Sequence, residues 1–161
     1  FLVLEGTFQD EHGDFPAGTY VRNPPTTAHT PGSEDGCTIL VKLWQFDMED
    51  RNQFHIDTTT ATFSPVDGAE GVDRLLLHED ACETVLMEQW QPGATVDLAA
   101  EGGMEVLVLE GGFHAAGEDF SPQSWLRLPK GDELTAIAGK DGARVWIKTG
   151  HLAQPPQPPA A

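Results

Sequence analysis

Residues 1–29 read FLVLEGTFQDEHGDFPAGTYVRNPPTTAH, and residues 106–134 read VLVLEGGFHAAGEDFSPQSWLRLPKGDEL. Aligned without a gap, ten of the 29 positions are identical. LVLEG recurs at 2–6 and 107–111, Phe8 meets Phe113, Asp14-Phe15 meets Asp119-Phe120, Arg22 meets Arg127 and Pro24 meets Pro129. With one further residue inserted, Gly36 meets Gly142 and Lys42 meets Lys148. A match that keeps glycine, proline and phenylalanine as well as apolar residues points to a duplicated structural unit.

The apolar runs around these segments are short and rich in Val, Leu, Ile, Phe and Trp, among them CTILVKLWQF, RLLLHE, ETVLMEQWQPG and ARVWIKTG, and Gly, Pro, Asp and Asn interrupt them closely. No run carries the three-to-four-residue apolar stripe of a helix, so the expected class is all-β, a sandwich or barrel. Residues 47–71 are polar and turn-rich and read as the connection between two units, with HIDTT as a strand within it. The tail AQPPQPPAA reads as extended and polyproline-like. The expected organisation is therefore a first unit over 1–50, a second over 51–152 and a proline-rich tail over 153–161. On the repeat alignment, the first unit has no counterpart of residues 54–105, which is its N-terminal half.

Composition narrows the function. Nine Lys plus Arg stand against 26 Asp plus Glu, a net charge of -17, and such a field repels nucleic-acid phosphates and anionic lipid. A divalent cation or a protein partner remains compatible with it. Cys37 and Cys82 form no paired metal or redox motif, and Cys37 reads as a small thiol in a buried strand. The chain shows no signal peptide or membrane-spanning run, and the expected setting is the cytoplasm.

His29 follows the rigid Pro24-Pro25 pair, which supplies two residues without backbone donors and with fixed φ. A histidine so placed serves either as an ordinary loop residue or as a metal ligand held still at a barrel mouth, where neutral imidazole suits zinc, iron, copper or nickel. His12 sits in a hairpin-turn context and reads as solvated, although Asp10, Glu11 and His12 offer weak cation binding. His55, His78, His114 and His151 have no ligand-like spacing. Glu101 and Glu105 read as solvated rim charges, the repeated Glu5 and Glu110 and the repeated Arg22 and Arg127 as parts of the fold, and Trp44, Trp90, Trp125 and Trp146 as core or barrel lining.

The stretch from Gly18 through Pro24 to His29 resembles the second cupin motif, G-x5-P-x-G-x2-H, with Thr26 where the motif has glycine. More narrowly, LVLEGTFQDEHGDFPAGTYVRNPPTTAHTPGS resembles the cupin-like domain of the ChrR anti-sigma factors and their bicupin relatives. That resemblance implies a double-stranded β-helix, the cupin jelly roll, duplicated, with the first copy lacking its N-terminal half. It implies a metal held by an H-x-H and Glu motif together with the histidine of the second motif, which falls on His29. The Glu position falls ahead of Phe1 in the first unit, so the ligand set for Zn2+ or Fe2+ is expected to be completed upstream of Phe1. In the second unit the same positions fall on Met104, within Leu98–Glu101 and on Leu134, so that unit is expected to have lost its site. The implied roles are a metal-binding regulatory module with a sigma factor or small-molecule ligand as partner, or a non-haem Fe(II) dioxygenase acting on a small molecule; a homo-oligomer is expected.

Overall fold

The computed structural model describes residues 1–153, so the proline-rich tail from residue 154 lies outside the described residues. The described chain is all-β, without a helix. It divides into two compact units, Phe1–Ala61 and a second from Thr62 onward. By contact the first unit extends past the boundary expected after residue 50, because Phe54–Asp57 is a strand that pairs with Thr19–Arg22.

The first unit has five strands: β1 Leu2–Asp10, β2 Gly13–Pro16, β3 Thr19–Arg22, β4 Cys37–Leu40 and β5 Phe54–Asp57. They run in the order β2-β1-β3-β5, with β4 also on β1. The core is Val3, Phe8, Phe15 and Val21, with Phe1, half-buried Cys37 and Ile39 packed on it. Phe8 lies 4.6 Å from the Phe1 ring and 6.3 Å from Phe15.

The second unit has eight strands: β6 Ser64–Pro65, β7 Val72–Glu79, β8 Thr84–Trp90, β9 Thr95–Ala100, β10 Met104–Ala115, β11 Glu118–Phe120, β12 Trp125–Leu128 and β13 Asp132–Thr149. β13 spans the sheet: its first half pairs with β9 and its second half with β8, while β10 lies along its other side. Alternate residues Met104, Val106 and Val108 of β10 point into a core shared with Leu86, Trp90, Val96, Leu134, Val145 and Ile147. Phe113 stacks on Phe120 at 4.7 Å and meets Trp90 at 5.3 Å.

The repeat is reproduced strand by strand. Phe8↔Phe15 on β1–β2 corresponds to Phe113↔Phe120 on β10–β11, and Leu2↔Tyr20 corresponds to Leu107↔Trp125. The ladder slips between Val3 and Glu5 on β4, and between Val108 and Glu110 on β13. The glycine of LVLEG follows each slip, with φ +69° at Gly6 and +64° at Gly111, and a Cβ there would strike the carbonyl oxygens of Gly36 and Gly142 respectively.

Two further left-handed positions repeat, but each copy keeps glycine at only one. Gly18 (φ +89°) corresponds to Gln123 (φ +68°), and each donates its N–H to the equivalent valine carbonyl, Val3 or Val108, at 2.8 Å. Thr26 (φ +73°) corresponds to Gly131 (φ +90°), the third residue of turns closed by Thr27 N–H to Pro24 C=O and Asp132 N–H to Pro129 C=O. A side chain in this conformation costs about 1–2 kcal/mol, and glycine's extra freedom in the unfolded chain offsets about 0.5–1 kcal/mol of that. Thr26→Gly and Gln123→Gly are each expected to stabilise the protein by about 0.5–1 kcal/mol in urea denaturation. Gly18→Gln is expected to destabilise it, because a Cβ there lies 2.5 Å from Thr59 Cγ2.

Candidate functional site

The structure holds His29 by three elements. Pro24 is fully buried, and the Thr27 hydroxyl donates to its carbonyl at 2.7 Å, which fixes the turn before the histidine. Asn23, just after β3, places its Nδ2 2.9 Å from His29 Nδ1 and accepts from Gln53 Nε2 on its Oδ1 at 3.2 Å. Asp10, at the end of β1 with a side chain only 2% exposed, accepts the His12 N–H at 2.8 Å and turns its other oxygen toward His29 Nδ1 at 3.5 Å. The imidazole packs 5.8 Å from the Phe8 ring and keeps 28% of its surface exposed. His12 itself is exposed in the hairpin turn, as its sequence context indicated.

Two groups meet Nδ1 with opposite preferences: the Asn23 amide nitrogen suits a neutral ring with its proton on Nε2, and the Asp10 carboxylate suits one with its proton on Nδ1. Coordination through Nε2 takes the second tautomer, with Asp10 as the acceptor. Among the described residues no group of three or more His, Cys, Asp or Glu is gathered to hold a metal ion. His29 with Asp10 is at most a partial donor set, and the described residues do not by themselves fit a metal centre. Neither Asp10 nor Asn23 stood out in the sequence as a partner of His29. A turn carboxylate and a post-strand amide are common, and their convergence depends on the return of the chain at residues 27–32.

The backbone around His29 differs from its counterpart. Leu134 occupies the equivalent position, lies within β13 opposite Leu98 of β9 and is 4% exposed in the core. In the first unit the bridge Gln9↔Gly32 preserves the equivalent of His114↔Ile137, but residues 27–31 belong to no strand. Side chains hold the segment instead: Glu11 accepts the Thr30 N–H at 2.7 Å, and Gln9 Oε1 accepts the Glu34 N–H at 2.8 Å.

In the second unit, Ala100, Met104 and Leu134 are 0%, 1% and 4% exposed, so apolar side chains fill the positions where the resemblance places ligands. One polar group enters this core. Glu88, with a fully buried side chain, points inward from β8 between Leu86 and Trp90. Arg74 donates Nε and Nη2 to its Oε1 at 2.8 and 2.5 Å, and Trp90 Nε1 donates to Oε2 at 2.7 Å. Both oxygens are thus engaged, which makes the group a structural tie.

Glu105 is not a solvated rim charge. It is 2% exposed, with His151 Nε2 at 3.2 Å and Arg127 Nε at 3.8 Å. The strand alternation explains the burial of its neighbours Met104 and Val106 but gives no sign that the opposite face is also covered. Glu101 is exposed. Arg22 is a buried anchor, 2.5 Å from Asp50, bonded to Asn52 C=O at 3.0 Å and 4.5 Å over the Phe46 ring. Trp90 and Trp146 are buried as expected, whereas Trp44 and Trp125 are 66% and 52% exposed and line no core.

The family model described as the ChrR Cupin-like domain matches residues 1–47 and 51–153. The chain belongs to that family. Among solved structures, a chain of Rhodobacter sphaeroides SigE in complex with the anti-sigma ChrR aligns at TM-score 0.50 and 19% identity, covering 56% of this chain and 49% of its own. A putative dioxygenase from Nostoc punctiforme aligns at TM-score 0.69 and 11% identity over 96% of this chain and 62% of its own. An acetylacetone dioxygenase from Acinetobacter johnsonii aligns at TM-score 0.55 and 10% identity, over 65% and 78% of the two chains. The chain thus spans about half and about three-fifths of the first two of these. At these identities the likeness is one of fold, the cupin jelly roll, and the ChrR-like family carries that fold here. No curated protein sequence matches the chain significantly. No helix among the described residues is long and apolar enough to cross a membrane.

The tether at Thr30 is pH-sensitive. The Thr30 N–H, then Glu11's own N–H, hold the exposed Glu11 carboxyl below its ordinary 4.5. A depressed carboxyl contributes its stabilisation above the ordinary value and loses it as pH falls through the depressed one. The Thr30 amide should lose protection, measured against its intrinsic exchange rate at each pH, below that range, and Glu11→Gln should remove that pH-dependent loss in an NMR titration. At Glu88, Arg74→Ala is expected to cost about 3 kcal/mol, the low end for a broken buried pair, because Arg74 keeps 38% exposure. Arg74→Ala combined with Glu88→Leu should recover much of that loss in urea denaturation.

Proposed function

We propose that the chain is a ChrR-like regulatory domain whose first unit contributes one ligand, His29, to a divalent transition metal, Zn2+ or Fe2+. The remaining donors lie outside the described residues, and a sigma factor is the partner that the family relationship suggests. The second unit is, in this reading, a complete but degenerate cupin barrel that serves as scaffold. The observation that carries the proposal is the contrast at one register position. His29 stands on a stiff turn with a carboxylate behind it and part of its ring open, while Leu134 at the same position is sealed into the core. A buried polar group needs partners, whereas an apolar residue at that place needs only packing.

What this chain's residues do is limited and specific. Asn23 and Asp10 orient the ring at Nδ1, Phe8 supports its face, and Glu11 holds the non-strand segment that follows at Thr30. When bound, the metal would supply either a rigid link between segments or a Lewis-acid centre. The match of the ChrR Cupin-like domain model along the chain favours the regulatory reading, since the likeness to the solved dioxygenases is one of fold.

Zinc titration of the 161-residue chain, followed by calorimetry, tests the proposal. Weak binding is expected, at least tenfold weaker still in His29→Ala and unchanged in His12→Ala. Equal binding by the wild type and His29→Ala would return His29 to the role of a loop residue. Asp10→Asn should weaken binding by less than His29→Ala, since it removes only the group that orients the ring.

A further inference from the structure

We draw no further inference here: the strongest candidate, the buried His151–Glu105 pair beside the C-terminal end of β13 in the second unit, with His151 Nε2 3.2 Å from the carboxylate, gathers no third His, Cys, Asp or Glu among the described residues and already has Arg127 on the same carboxylate, so nothing in the structure shows what ligand it would hold.

Discussion

The close approach of backbone to backbone behind Gly6 and Gly111 sets the geometry of both units. Each glycine follows a slip in the ladder, adopts a positive φ and leaves no room for a Cβ beside the carbonyl of Gly36 or Gly142. The strand therefore bends at the same residue in each copy. Beyond the bend the hairpins place Phe8 on Phe15 and Phe113 on Phe120, and before it Val3 and Val108 enter their cores. The two cores and the turns that follow are arranged around this one steric constraint.

From a shared frame the copies diverge by burial. In the second unit β8 and β9 cover both halves of β13, and the positions that face inward are apolar, apart from a saturated Glu88. A carboxylate can stay there only because Arg74 and Trp90 occupy both of its oxygens. In the first unit the counterparts of these halves lack such cover among the described residues, and polar contacts from the β1–β2 hairpin substitute for a ladder around His29. The same chain path thus supports a closed core in one copy and a part-exposed imidazole in the other. Membership of the ChrR cupin-like family is consistent with both, and since the cupin fold hosts many chemistries, function rests on what His29 meets.

The fold was legible in the sequence to an unusual degree because duplication supplied an internal control. Short β-branched and aromatic runs indicated strands, and the ungapped alignment indicated which strands are equivalent. The left-handed positions were partly readable too, since Gly18 and Gly131 mark them in one copy each, although Thr26 and Gln123 conceal them in the other. The placement of residues 51–61 was not readable, because a polar segment gives no sign of which β-strand it will pair with, and Phe54–Asp57 found β3.

The sequence by itself determined the class, the repeat, the stiff turn before His29 and the apolar character of Met104 and Leu134, since each depends on local residue type and period. Tertiary structure alone decided that Asp10 and Asn23 converge on His29 and that Glu105 is buried beside His151 while Trp44 is exposed. The physical reason is that burial and pairing belong to the partners a strand acquires across the sheet. A residue's own alternation shows which face it occupies, but the elements that cover that face come from distant parts of the chain.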